Sequence, residues 1–401
     1  MGKRLLLLGG SRYLFPVIDV AHNMGIEVIT ADYLPNNIAH MRSDGYCNVS
    51  IVDKDAVLDC ANSLRINGIM SFAADPGVVS AAYVAEKLGL PFQSSYEATV
   101  LLQSKDKFRT FLSDHNFNCP RTWFFSSAEE ALKEACDVLY PVIVKPVDSA
   151  GSKGCSRVDE PKQLAHAVNA ALKFSKQGRC IVEEFLEKAC PTSDAESFTI
   201  DGAFDCVSFT SQFFDPDSPN PYAPAAFAMP AAMPMQVQNE LKSELQRLSG
   251  LLGLSSGIYN VETRVAVDGK PYIMEISPRG GGNRLAEMLC FASGVNLIKA
   301  SVQAALGMPI EQVVEPSFDK YWYQEILHSN YSGLFEKVWY APGFYENHVV
   351  DEQLWVSPGE RVEAFKSANY AFGSVVMKFE TREEFLYFIN QKDHYMKVFV
   401  K

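Results

Sequence analysis

Charged residues stand at the ends of short apolar runs, in an order that suits one kind of chemistry. Lys145 closes the run 142–145, just ahead of Asp148-Ser149-Ala150-Gly151-Ser152-Lys153-Gly154. Glu183 and Glu184 lie on the run 179–186. Glu262 and Glu275 occupy the two arms of a hairpin, 13 residues apart, and Arg279 follows in Glu275-Ile276-Ser277-Pro278-Arg279-Gly280-Gly281-Gly282-Asn283. A Gly/Ser loop exposes backbone N–H groups that cradle phosphate oxygens. A lysine beside it adds a mobile positive charge. Two carboxylates facing across a hairpin suit Mg2+, a hard cation that keeps bonds to phosphates. An arginine beyond them can meet charge developing on a transferred phosphoryl group. One unit charge pair 4 Å apart is worth roughly 4 kcal/mol at an effective dielectric of 20, so a few such contacts outweigh repulsion between a triphosphate and an acidic protein.

Each piece taken singly is weak. A lysine at a strand end is more often solvated, and a Glu pair on a hairpin is usually a surface feature. The P-loop pattern GxxxxGK[ST] and the zinc pattern HExxH are both absent, and the seven histidines show no ligand spacing. The order and spacing of the whole set carry the inference.

Strands and helices must hold these groups. Residues 5–8 form a buried apolar run ending at Gly9-Gly10, followed by helical spacing over 15–24, a strand at 27–31, another at 68–73 and a helix at 78–88. This alternation predicts a parallel α/β layer to about residue 100. Its first turn lacks GxGxxG, which argues against a dinucleotide site. Ligands still favour the carboxyl ends of such strands, so Ser11, Arg12 and Asp32 are crevice candidates. A helix is expected over 104–115, strands at 124–125, 142–145 and 179–186, and a helix over 128–136. The runs flanking the Gly/Ser loop read as a hairpin. Asp159 and Pro161 read as the cap and first turn of a helix to about 176. Residues 215–234, rich in Pro and Ala, read as a long loop facing substrate. A helix over 237–252 precedes the hairpin 259–267/271–276, whose turn is Asp268-Gly269. The end of the chain mixes short strands with a helix at 382–390.

Composition narrows the class. The 401 residues carry 36 Lys+Arg against 48 Asp+Glu, a formal net charge of -12, with no basic run to suit nucleic acid. Hydrophobic residues make up 47%, enough for packed cores and against disorder. Nine cysteines without CxxC spacing are expected to be reduced thiols. The four leucines after Arg4 are too short a run for a signal peptide, and no 18-residue apolar stretch spans a membrane. A cytoplasmic protein is expected.

The ordered motifs resemble those of the ATP-grasp enzymes: biotin carboxylase, the carbamoyl phosphate synthetase large subunit and purine-biosynthetic carboxylate–amine ligases. The resemblance covers about residues 1–310. Its most specific pieces are Val144-Lys145-Pro146 with the Gly/Ser loop, Val182-Glu183-Glu184-Phe185-Leu186, and Glu262 with Met274-Glu275-Ile276-Ser277-Pro278-Arg279. It implies an α/β and α+β architecture: a preATP-grasp domain (1–103), an ATP-grasp domain (104–310, lid about 120–185) and a C-terminal cap (311–401). ATP would contact Lys107, Lys145, Ser149, Gly151, Ser152 and Gly154. The hinge Glu183, Glu184, Phe185 and Leu186 would meet adenine, and Glu196 the ribose, with Ser197 the alternative. Glu262 and Glu275 would hold Mg2+ or Mn2+, with Ser277 where many members have Asn. Arg279, Glu275 and Lys145 would be catalytic, and Arg279 and Asn283 would face substrate. The implied reaction phosphorylates a carboxylate with ATP, then lets an amine displace phosphate, giving an amide, ADP and phosphate. The implied partners are a small-molecule carboxylate and amine, with dimers common among similar enzymes. The alternatives are a carboxylase or kinase that forms an acyl phosphate but no amide, a Rossmann-type oxidoreductase, and a non-catalytic ATP-binding module.

Overall fold

The computed structural model describes residues 2–134, 138–149, 153–311 and 313–401. The chain opens with strand β1 (Arg4–Leu8), whose four leucines are all buried. Helix α1 (Phe15–Asn23) starts with Pro in its first turn, where a missing N–H costs nothing. Strands β2 (Glu27–Ala31) and β3 (Gly45–Cys47), helix α2 (Lys54–Leu64), strand β4 (Gly68–Ser71) and helix α3 (Asp75–Leu88) complete a sheet of order β3-β2-β1-β4, all parallel. Gly10 is needed in the first turn because a Cβ there would lie 2.5 Å from the Asn37 side chain. Two short helices follow, α4 (Tyr96–Leu102) and α5 (Lys105–Asp114).

The next unit is a four-stranded antiparallel lid. It contains β5 (Thr122–Phe125), helix α6 (Ala128–Glu134), the hairpin β6 (Val142–Pro146) and β7 (Ser156–Val158), helix α7 (Pro161–Leu172) and β8 (Cys180–Glu184). The strand order is β5-β8-β6-β7. Helix α7 is capped by a reciprocal Glu160–Gln163 box, one residue later than the expected Asp159, which instead binds Arg157. The end of the predicted helix 128–136 lies outside the described residues.

A third four-stranded sheet, also antiparallel, forms the body. Strands β9 (Ser193–Ile200) and β10 (Ala203–Ser208) lead to β11 (Ser211–Phe214), β12 (Pro224–Met229), helix α8 (Met235–Leu252), and the long hairpin β13 (Gly257–Val265) and β14 (Pro271–Ser277). The sheet order is β10-β9-β13-β14. One face packs on α5 and α8 through Phe108, Leu112, Leu241 and Leu245; the other packs on α9 and α10 through Phe198 and Ile258 at one end and carries polar residues at the other. Helices α9 (Leu285–Ser293) and α10 (Leu297–Ala305) pack between this sheet and α1. No single helix among the described residues is long and apolar enough to cross a membrane.

The C-terminal region contributes β15 (Tyr321–Leu327), β16 (Gly333–Tyr340), α11 (Phe344–His348), β17 (Val349–Leu354), β18 (Arg361–Val362), β19 (Gly373–Phe379), α12 (Arg382–Asn390) and β20 (Met396–Val400). Strands β15, β17 and β19 join β11 and β12 in one sheet of order β11-β12-β15-β19-β17, and β16, β18 and β20 form another of order β18-β16-β20. The expected loop 215–234 is therefore part strand. Ala225, Ala226, Phe227, Ala228 and Met229 are all buried, so no polar alternation marks them. The cysteine expectation is corrected at one pair: Cys47 at the end of β3 and Cys60 on α2 form a disulfide, while the other described cysteines are free thiols.

Candidate active site

Three adjacent strands build the floor. In β9, β13 and β14, Asp194 pairs in register with Glu262, and Glu262 with Glu275; two residues along, Glu196 pairs with Asn260 and Asn260 with Ser277. Alternate strand residues share a face, so all six polar side chains project the same way. This is the arrangement the hairpin pattern predicted for Glu262 and Glu275, widened by a strand that sequence reasoning did not connect to them.

The acids are not equivalent. Burial and the neighbouring Glu262 push the Asp194 carboxyl up to about 7, and burial with Asp194 pushes Glu196 up to about 8. Asn260 Nδ2 donates to both, at 2.6 Å to Asp194 and 3.3 Å to Glu196. Burial would also raise Glu275, but Lys105 outweighs it and holds that carboxyl below its ordinary value, with Nζ 3.0 Å from Oε2. Lys105 Nζ also donates to the Ser149 carbonyl of the lid loop, at 3.3 Å.

Helix α5 joins the lid to the floor through three residues in one turn and a half. Lys105 makes the contacts just described, Asp106 binds Arg179 at 2.7 Å, and Arg109 Nε binds Glu183 at 2.5 Å. Glu183 and Arg109 are both about 1% exposed, and Lys145 Nζ meets the second Glu183 oxygen. Burial alone would raise Glu183; Arg109 and Lys145 overcome it and hold the carboxyl at about 2. Lys145 is thus anchored from β8 with its amine at the cleft. Cys155, on the same lid hairpin, has its thiol pushed up by burial against the pull of Lys145 and Lys105.

The Gly-rich loop after β14 closes the far end. Arg279 binds Asp75 at the start of α3 through Nε (2.7 Å) and a terminal nitrogen (2.6 Å). Ser277 Oγ donates to the same Asp75 oxygen at 2.9 Å and accepts from Gln103 at 2.7 Å. Gly281 N–H donates to Glu196 Oε1 at 2.6 Å; a Cβ at Gly281 would lie 2.1 Å from that oxygen. The Ala73 N–H donates to the Gly280 carbonyl at 3.1 Å, tying the end of β4 to this loop.

Several expectations change. Lys107 is exposed on the opposite side of α5, and Lys105 is the helix lysine in the cleft. The Glu183 side chain is buried with its cations rather than presented at the hinge. Glu196 is fully buried against Gly281 and Asn260, which leaves it no open path to a ribose, and Ser197 is buried as well. Ser277 braces Asp75 and Gln103 instead of joining the carboxylates. Asn283 is buried; its Oδ1 accepts from Tyr13 at 3.3 Å, so it is a joint between loops. Gly154 takes φ +73 under Phe174. Gly151 and Ser152 lie outside the described residues. At the hinge, the Glu184 N–H already donates to Arg121, the Leu186 carbonyl accepts from Arg264 at 3.1 Å, and Arg157 stacks on Phe185 at 4.2 Å. Asp194, Asn260, Lys105, Arg109 and Asp75 were missed. The period-two spacing of Asp194 and Glu196 was the one available signal.

An antiparallel lid over a polar-faced antiparallel sheet, beside a parallel α/β layer, defines the ATP-grasp fold. A family profile described as "D-ala D-ala ligase C-terminus" matches residues 114–298. The chain is 24% identical over 263 residues to the carbamoyl phosphate synthase large chain of Thermotoga neapolitana, covering 65% of this chain and 23% of that one. It is 26% identical over 316 residues to the formate-dependent phosphoribosylglycinamide formyltransferase of Synechococcus sp., covering 77% and 78%. Among solved structures it resembles the L-amino acid ligase of Bacillus licheniformis, with TM-score 0.79, 20% identity, and coverage of 100% and 99%. The phosphoribosylglycinamide synthetase of Anaerococcus prevotii aligns with TM-score 0.76 and 20% identity over 100% of both chains. The chain spans less than a quarter of the carbamoyl phosphate synthase relatives' length. These likenesses show the fold of that class of enzymes.

Proposed function

We propose that the chain is an ATP-dependent ligase that activates a carboxylate as an acyl phosphate and joins it to an amine, releasing ADP and phosphate. The observation that carries this reading is the register match of Glu262 with Glu275 on the floor, beneath a lid whose Lys145 is anchored by a buried Glu183.

The residues fit the cofactor. Glu262 and Glu275 would hold Mg2+, or Mn2+. Among the described residues no group of three or more metal-binding side chains stands ready; a two-carboxylate site suits an ion that keeps waters and phosphate oxygens as its other ligands. When bound, the ion would neutralise charge on the triphosphate. The chain's own groups do the rest. Lys145 and Lys105 would meet the phosphate oxygens, Lys105 by exchanging Glu275 for a phosphate. Ser149 and the loop after it would cover the nucleotide tail, and backbone groups from Glu184 to Leu186 would border the base. Arg279, held by Asp75, sits next to the floor acids and would face the reacting carboxylate.

A carboxylate is a poor electrophile until its oxygen becomes part of a phosphate leaving group. Transfer of the γ-phosphoryl to that oxygen forms the acyl phosphate and ADP. The amine attacks the carbonyl carbon, the C–O bond to phosphate breaks, and an amide results. The protein's work is positioning and charge compensation under a lid that excludes water. A cytoplasmic location fits this reading, and so does a homodimer; the biotin carboxylase domain of Hydrogenobacter thermophilus 2-oxoglutarate carboxylase, a structural neighbour at TM-score 0.74, is described as a dimer.

The test is a phosphate-release screen of amino acids, small acids and sugar acids against an amine panel, with product masses. ADP, phosphate and an amide support the reading. Release of AMP and pyrophosphate, or bicarbonate-dependent ADP release without an amine, would overturn it.

A further inference from the structure

A cavity of about 580 Å³ opens between α1, one side of α9, the start of α10 and the end of β17. It shares no wall residue with the carboxylate floor, Lys105 or Lys145. Its size falls in the range of small-molecule sites, about 300–1,000 Å³. The walls are aromatic as well as charged. Tyr13 meets Trp355 edge-on with ring centroids 5.7 Å apart, and Phe15 and Trp355 flank Arg12 at 5.5 and 5.8 Å.

The charges around the cavity are paired with one exception. Arg42 binds Asp19 at 3.1 Å, Arg284 binds Glu287 and Asp351 at 2.8 Å each, and Glu352 accepts from the Tyr340 hydroxyl at 2.6 Å. Among the described residues no carboxylate lies in ion-pair range of Arg12, and no hydrogen bond leaves its guanidinium. Two rings hold its plane while its N–H fork stays unused. Burial and the nearby Arg42 both press the Arg12 pKa downward, as an unneutralised cation in a partly dry place should show.

We propose that this cavity is a second small-molecule site, for a ligand that joins an oxyanion, carboxylate or phosphate, to a flat apolar group. The oxyanion takes the Arg12 fork in a two-point contact, which planar guanidinium geometry favours. The apolar group lies against Trp355 and Phe15. An inorganic anion alone would leave most of the volume unfilled. The site is also wired to the loop beside it, because Tyr13 donates to Asn283 and Arg284 is the next residue in the chain.

Titration calorimetry with phenyl phosphate and benzoate tests this on the full chain, with inorganic phosphate and benzyl alcohol as half-ligands. Saturable binding of an aromatic anion is expected, with either half-ligand at least tenfold weaker. Arg12→Ala should weaken binding at least tenfold, and Trp355→Leu should weaken it as well. If Arg12→Ala does not fold, Arg12→Lys serves: a point charge in place of the fork should still cost several-fold. The proposal is overturned by absence of saturable binding, by equal affinity for benzyl alcohol, by unchanged affinity in the Arg12 variants, or by competition from Mg-ATP, which would place the ligand in the nucleotide cleft. None of these results depends on the ligase reading, whose failure would show only in turnover.

Discussion

Glu183 offers the sharpest test of how the lid is held. Its carboxyl is about 1% exposed and lies between Arg109 and Lys145. Those cations move it from an ordinary 4.5 to about 2. At about 1.4 kcal/mol for each tenfold change, that corresponds to roughly 3 kcal/mol favouring the folded, ionised state. Breaking a buried pair by removing one partner costs about 3–5 kcal/mol by general experience, which agrees. Because the folded pKa is depressed, this stability is complete above about 4.5 and is lost as pH falls toward about 2. Glu183→Gln should therefore lose about 3 kcal/mol in urea unfolding at pH 7. It should also flatten the fall in stability between pH 4.5 and 2. Lys145→Met should lose less when added to Glu183→Gln than when made alone, since the two share one interaction. Wild-type stability of Glu183→Gln at pH 7, with unchanged acid sensitivity, would refute the account of this triad.

Other outcomes follow from the same geometry. Glu262→Gln and Glu275→Gln should each lower Mg-dependent ADP release at least a hundredfold while circular dichroism stays native; full activity in either would remove that residue from the metal site. Lys105→Met should weaken nucleotide binding at least tenfold while Lys107→Met stays within twofold of wild type, as measured by competition with a fluorescent ATP analogue; the reverse order would mean that α5 turns its other face to the nucleotide. Gly281→Ala places a Cβ 2.1 Å from Glu196 Oε1 and should cost about 1–3 kcal/mol in urea unfolding. Glu196→Gln should stabilise the chain increasingly from about pH 4.5 to 8, because a carboxyl whose folded pKa is raised to about 8 loses stability as pH rises through that value; equal unfolding free energies at pH 8 would contradict its burial as an acid.

The legible parts of this molecule were those with local patterns. The hairpin carrying Glu262 and Glu275 announced itself through Asp268-Gly269 and alternation, and helix Arg382–Asn390 through its spacing. Lys105 and Lys107 differ by two residues, about 200° around a helix, so the sequence offers both and packing chooses. The burial of Phe108, Arg109 and Leu112 turns Lys105 to the cleft and Lys107 to water. Glu183 looked like a hinge residue because nothing local reveals Arg109, 74 residues earlier, as its partner. Strand Pro224–Met229 was invisible for the opposite reason: with both faces covered, its small apolar residues carry no period.

The sheet that holds β12 has a practical consequence. Residues 226–229 pair with 322–325, so the C-terminal region supplies the hydrogen-bonding neighbour of a strand laid down far earlier in the chain. A shortened chain ending after α10 would lack that neighbour. It would be left with an alanine-rich edge of unpaired backbone groups, the kind of edge that recruits other chains. Such a truncation should aggregate on expression, and the C-terminal segment should be regarded as inseparable from the rest of the fold during any dissection of this protein.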